Sequence, residues 1–242
     1  MTKYLVMIKD FLLGLNIFLC TLFFAPIVFL VGLFDYNKNY TGILIRCWAR
    51  SILSSSRIRY DAEGLQKIDL SQNYVIVSNH QSGMDVILTF ALFPKPISFF
   101  TKKELFKIPI FGWAMQSAGM VKVDRFNKEN SKKCVDDAIN KIDNTNLSFL
   151  NYPEGTRSNY NDLLEFKKGG FILAVKSNTP IVPLTIIYKK IDSPIYRSDA
   201  TLIFDKPISL VNYDIDKKDD LIFQVRNIIK LNIEKYFNVK IQ

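Results

Sequence analysis

The sequence predicts an α/β fold: a mostly parallel central sheet flanked by helices, with an N-terminal hydrophobic helical membrane anchor. Two observations carry this. From Tyr74 onward, short apolar runs of strand type alternate with segments of helical period. Ahead of them, residues 11–34 hold no charge, and Asp10 and Asp35 stand at the borders of the run. A chain of 242 residues suits one sizeable α/β domain with an accessory segment.

The 11–34 run is long enough to span a hydrocarbon core. It is too long for the apolar part of a signal peptide, and no small-residue cleavage site is evident. Pro26 interrupts it, so the run either spans the bilayer or splits into a helical pair within one leaflet. Ile43, Leu44, Cys47, Trp48 and Ile52 then recur at helical spacing, with Arg46, Arg50, Arg57 and Arg59 interleaved or close behind. This pattern fits a basic amphipathic helix on an anionic membrane surface, or an ordinary helix of the domain. Strands are expected over residues 74–77, 97–100, 120–123, 147–150, 181–187 and 201–204. Helices are expected over 85–92, 131–142, 169–176 and 219–237. In the last, Ile222, Val225, Ile229, Ile233 and Tyr236 form one stripe, and Asp219 and Asp220 suit its N-terminus. In such a fold the site lies at strand ends.

A net charge of +9 favours anionic partners: phospholipid headgroups, phosphorylated substrates or nucleic acid. The apolar N-terminus argues against nucleic acid. Cys20, Cys47 and Cys134 are widely spaced and fit reduced thiols in a cytosol-facing protein. With a single histidine and no zinc spacing, a metal site is not expected. No GxGxxG or Walker loop is present, and no cofactor is expected.

The chemistry-bearing residues follow predicted strands. His80, the sole histidine, lies in Ser78-Asn79-His80-Gln81-Ser82-Gly83-Met84-Asp85. Imidazole takes a proton near neutral pH, and Asp85 is placed to orient it. Ser82 and Asp85 also fit a helix-start pattern, and both roles are compatible. A second cluster is Tyr152-Pro153-Glu154-Gly155-Thr156-Arg157-Ser158. There Arg157 offers a planar fork for phosphate, Gly155 a close backbone approach, and Glu154 an acceptor for a polyol hydroxyl. Lys102-Lys103 and Asp124-Arg125 end two further strands and suggest a phosphate-binding mouth. Phe166-Lys167-Lys168-Gly169-Gly170 opens a helix, and Thr179-Pro180-Ile181-Val182-Pro183-Leu184 leads into a strand.

The order of these motifs resembles the HxxxxD glycerolipid acyltransferase superfamily. His80 to Asp85 is similar to its first motif, and Gly119-Met120-Val121-Lys122-Val123-Asp124-Arg125 to its second. Tyr152 to Ser158 resembles the third, FPEGTRS, and Ile181-Val182-Pro183 the fourth. Lys102-Lys103-Glu104-Leu105, Pro109 and Phe111-Gly112-Trp113 look most like the 1-acylglycerol-3-phosphate acyltransferases. Tyr152, Lys122 and Glu165 depart from the usual phenylalanine, apolar residue and proline. The resemblance implies acyl transfer from acyl-CoA or acyl-carrier protein to the sn-2 hydroxyl of lysophosphatidic acid, giving phosphatidic acid. It makes His80 the base and Asp85 its partner, with Lys102, Arg125, Glu154, Gly155, Thr156 and Arg157 holding the acceptor. Residues 1–60 would form the membrane-anchoring segment and residues 61–242 the catalytic domain, on the cytoplasmic face and in contact with membrane phospholipids. Glycerol-3-phosphate or another lysophospholipid as acceptor remains open, as does a lipid or thioester hydrolase.

Overall fold

A computed structural model describes residues 3–123, 128–159, 162–191 and 197–238. The chain opens with two long helices, α1 (Lys3–Phe34) and α2 (Asn39–Ser55). Strand β1 (Tyr60–Glu63) follows, then β2 (Val75–Ser78), α3 (Met84–Leu92) and β3 (Ile97–Lys102). Next come a 3₁₀ turn at Lys103–Lys107, α4 (Phe111–Ser117), β4 (Val121–Val123), α5 (Lys128–Asn144) and β5 (Ser148–Asn151). The chain continues through α6 (Gly169–Lys176), β6 (Ile181–Ile191), β7 (Arg197–Phe204) and α7 (Lys218–Phe237).

Among the described residues the sheet has seven strands in the order β1-β7-β6-β2-β5-β3-β4. Every neighbouring pair is parallel except β6 and β7, which run antiparallel. A strand buried on both faces reads as a continuous apolar run, and Val75-Ile76-Val77 is one. Its side chains alternate between two cores. Ile76 joins Leu88, Met115, Leu150 and Leu184 on the face covered by α1 to α4. Val75 and Val77 join Ala138, Phe149, Phe171 and Val225 on the face covered by α5 to α7. Strands β2 and β5 are neighbours, yet α3 leaves β2 for the first face and α6 follows β5 on the second. Such a divergence opens a crevice at the carboxyl ends of the two strands, where ligands bind in open α/β sheets.

α1 is long and apolar enough to cross a membrane. It is a single helix through Pro26 rather than a pair, and one side of it belongs to the domain. Leu13, Ala25 and Val28 are buried in the same core as Ile52 and Leu88. Asn16 donates to the Ile52 carbonyl at 3.1 Å and the Ser56 hydroxyl at 2.7 Å, and Trp48 donates to Thr21 at 3.1 Å. At Gly32 a Cβ would stand 2.7 Å from the Ser117 hydroxyl, so the missing side chain lets α4 close in. The opposite side exposes Phe11, Phe18, Leu22, Phe23 and Leu30. The core therefore runs unbroken across residue 60.

Two arginines of α2 bond within the protein. Arg46 donates twice to the Phe93 carbonyl, at 3.1 and 3.3 Å, and Arg50 donates to the Ala91 carbonyl at 3.0 Å. Both meet the carboxyl end of α3, whose last carbonyls lack helical partners and carry the negative end of the dipole. Arg59 pairs with Asp199 at 2.6 Å across β1 and β7. α2 is therefore packed into the domain, with Ala49, Ile52 and Leu53 fully buried.

Candidate active site

His80 leaves the carboxyl end of β2, and Asp85 lies in the first turn of α3. Asn79 fixes the path between them. Its amide donates to the Ile186 carbonyl at 2.9 Å and accepts from the Ile186 N–H at 2.8 Å, so a side chain continues the ladder to β6 where the strand has ended. The next residues then turn across the sheet edge.

Asp85 is fully buried. Its Oδ2 accepts from the backbone N–H of Gln81 at 2.7 Å and of Ser82 at 2.8 Å, and lies 2.8 Å from His80 Nδ1. Its Oδ1 accepts from the Tyr188 hydroxyl on β6. The bond to Ser82, just ahead of the Gly83 N-cap, ties the loop to the first turn of α3. One carboxylate thus starts α3 and orients the imidazole. His80 keeps 17% of its side chain exposed and stacks on Tyr152, with centroids 4.2 Å apart and planes at 21°. Burial, and then the Asp85 charge, hold the Tyr152 phenol well above its usual pKa, so it stays neutral.

The second loop is tied to the first. Glu154 is 3% exposed. Its Oε1 accepts from the His80 N–H at 2.7 Å and its Oε2 from the Leu164 N–H at 3.0 Å. The Ser158 N–H returns a bond of 2.8 Å to the His80 carbonyl. Both oxygens of Glu154 therefore serve the backbone, and the expected acceptor for a polyol is instead a strut between the two loops. Gly155 takes φ 71°, and a Cβ there would meet the Lys167 ammonium at 2.5 Å. Arg157 is exposed, and its Nη2 lies 3.3 Å from where a Cβ on Gly83 would stand, so the guanidinium covers the His80–Asp85 turn. Thr156 is exposed beside it. Lys102 stands exposed at the carboxyl end of β3, two strands from β2. Arg125 and Asp124 lie outside the described residues.

Tyr188 and Lys167 complete the neighbourhood without having been marked as site residues by the sequence. Tyr188 is 103 positions from Asp85 and belongs to no motif, so nothing local announces it. Lys167 had a signal, its place just before the glycine pair that opens α6.

Burial is the largest influence on the Glu154 carboxyl and raises its pKa. Folded protein then holds this proton to higher pH than unfolded protein. The stabilisation linked to it is fully present below the unfolded pKa and is lost as pH rises through the folded one. Thermal melts between acid and neutral pH should show the stability of the wild type relative to Glu154→Gln falling across that window. At pH 7 the same variant should lose about 1–3 kcal/mol, because an amide N–H₂ faces a backbone N–H where an oxygen had accepted. Parallel stability curves for the two proteins would rule out the titration.

The acyltransferase family model matches residues 59–187. The chain is 32% identical over 186 residues to the chloroplastic 1-acyl-sn-glycerol-3-phosphate acyltransferase BAT2 of Brassica napus, covering 74% of this chain and 53% of that protein. It is 30% identical over 181 residues to the putative 1-acyl-sn-glycerol-3-phosphate acyltransferase acl-1 of Caenorhabditis elegans, covering 74% and 69%. The chain spans about half the length of several of these curated relatives, BAT2 among them. The fold is similar to the crystal structure of the 1-acyl-sn-glycerophosphate (LPA) acyltransferase PlsC from Thermotoga maritima. That likeness has a TM-score of 0.75 at 23% identity and covers 96% of this chain and 97% of the other. With a paired histidine and aspartate at the sheet's switch point and these likenesses across more than half its length, the chain belongs to the acyltransferase family.

Proposed function

We propose that this chain moves a fatty acyl group from an acyl thioester to the sn-2 hydroxyl of lysophosphatidic acid, giving phosphatidic acid. Family membership supports acyl transfer, and the names of the relatives support this acceptor. The observation that carries the reading is the 2.8 Å contact between His80 Nδ1 and the buried Asp85 carboxylate. The carboxylate holds the ring proton at Nδ1, so Nε2 keeps a lone pair for the acceptor. Nε2 takes the hydroxyl proton as the acceptor oxygen attacks the thioester carbonyl. The tetrahedral intermediate collapses, the C–S bond breaks, and the thiolate leaves with the proton returned from Nε2. Asp85 stabilises the imidazolium between the two transfers. A thiolate leaves readily, so no acyl-enzyme is required.

Acyl-CoA and acyl-carrier protein both meet this chemistry as donors. In lysophosphatidic acid the phosphate sits one carbon beyond the reacting carbon, so it must bind beside His80. Arg157, lying over Gly83, is the cation best placed for it. Thr156, Lys167 and Lys102 line the same edge, and Arg125 is assigned to it by resemblance alone. Glu154 acts as a positioning residue that sets the His80 backbone.

We also place the catalytic domain on the cytoplasmic face, where thioester donors are soluble. The outer side of α1, with the exposed Trp113 beside Phe29, lies in one leaflet.

His80→Ala is expected to lose about 10²–10⁴-fold in turnover with its circular dichroism unchanged, and Asp85→Asn to follow it. Incubation with labelled acyl-CoA and a panel of lyso-acceptors decides the product. Free fatty acid would mean a hydrolase, and a different phospholipid would mean another acceptor. Arg157→Ala should mainly raise KM for lysophosphatidic acid, with Arg157→Lys an incomplete rescue because the ammonium lacks the fork. A change confined to the donor's KM would reassign Arg157. Detergent, and not high salt, should release the protein from membranes, because apolar contact is not screened. Recovery in the salt wash would overturn the placement of α1.

A further inference from the structure

A second basic site lies outside the His80 crevice. β4 is the last strand of the sheet, and beside it runs a groove of about 470 Å³ between the 3₁₀ turn and α5. Lys133, Asp137 and Lys141 recur at intervals of four along α5, which puts them on one face. Lys103 and Lys122 line the other wall, and Phe106 supplies an apolar patch. The lining holds four lysines against the single carboxylate of Asp137, which pairs with Lys141 at 3.2 Å, so the groove is net positive. The Lys122 ammonium sits 4.9 Å from the centre of the Phe106 ring. A concave site of this size, with cations around one aromatic wall, suits a small anionic ligand with a flat apolar part.

We infer that this groove binds the nucleotide phosphates of a CoA thioester, an inference that rests on the acyl-transfer reading. Distance separates the candidates. β4 lies three strand spacings from β2, roughly 14 Å at the usual inter-strand distance. A phosphate held in the groove beyond β4 would lie farther from His80 than the acceptor's phosphate lies from its own sn-2 hydroxyl. In a CoA thioester the phosphates are separated from the sulfur by the whole pantetheine arm. With the thioester at His80, that arm crosses the carboxyl ends of β5 and β3 and delivers its charged end to the β4 edge. The groove is also concave and of small-molecule size, which favours a nucleotide over the acidic surface of a carrier protein. Lys122, which stands where the family usually has an apolar residue, then has a use.

The test measures binding and turnover on the full chain in detergent micelles. Coenzyme A is titrated calorimetrically into wild type, Lys133→Glu, Lys122→Glu/Lys133→Glu, and a control charge reversal at the exposed Lys206. The double variant should bind coenzyme A about tenfold or more weakly, the size of one lost charge-assisted contact. Lys133→Glu, on the exposed face of α5, should move the same way by less, and Lys206→Glu should match wild type. KM for acyl-CoA should rise in parallel while KM for lysophosphatidic acid holds. Unchanged coenzyme A binding in the double variant overturns the proposal. So does a loss of carrier-protein-supported turnover with acyl-CoA turnover intact, which would assign the groove to a protein surface. Groove-dependent coenzyme A binding in a protein that forms no acylated lipid product from any acceptor would support the groove and refute the acyl-transfer reading.

Discussion

The carboxylate of Asp85 is the contact on which the rest of the site depends. A fully buried carboxylate is tolerated only when its oxygens are satisfied. Here two backbone N–H groups, the imidazole and the Tyr188 hydroxyl meet that requirement. Three of the donors, at His80, Gln81 and Ser82, come from the turn after β2 and the fourth from β6, while the carboxylate itself stands in the first turn of α3. The charge therefore holds together three elements that would otherwise be free to shift. Glu154 repeats the device one loop away, and its two backbone donors keep the His80 turn from drifting relative to the loop after β5. Two buried carboxylates give the solvent-facing imidazole a fixed address.

The sheet explains why these loops meet. β2 and β5 are adjacent and parallel, with Val77 opposite Asn151, so the residues after each strand emerge at the same level. Their following helices depart to opposite faces, and the crevice between them is left for chemistry. α3 is held at both ends: Asp85 at the positive end of its dipole, Arg46 and Arg50 at the negative end.

The local parts of this arrangement were legible in the sequence. His80 and Asp85 lie five positions apart, and the Tyr152–Ser158 run directly follows a strand, so both loops announced themselves. The parallel sheet and the helices from α3 to α7 followed from periodicity, apart from α4, which at seven residues is too short to display any. β1, Tyr60–Glu63, escaped because it is an edge strand with two acidic residues among its four and so lacks the apolar run of the inner strands. Glu154 was legible as an acceptor, but not as one already taken by backbone, because its partners depend on tertiary packing. Tyr188 was invisible because its partner is reached only through the fold. The arginines of α2 left two readings open for a physical reason. A basic amphipathic stripe looks alike whether it faces lipid phosphates or the carbonyl end of a neighbouring helix, since both present negative charge.

The docking of α1 has a consequence for how this protein can be handled and how it can change. A leash can be cut or exchanged without touching the machine it holds. α1 is closer to a keel: Leu13, Asn16, Thr21, Val28 and Gly32 are shaped to the hull formed by α2 and α4. Removing it would strip cover from Ile52 and Leu53, which are wholly buried in the intact chain. A shortened protein would gain a sticky flank rather than solubility, and a borrowed anchor would restore attachment without restoring shape. The draught of the vessel, meaning the height of His80 above the lipid, is set by this one fitted helix.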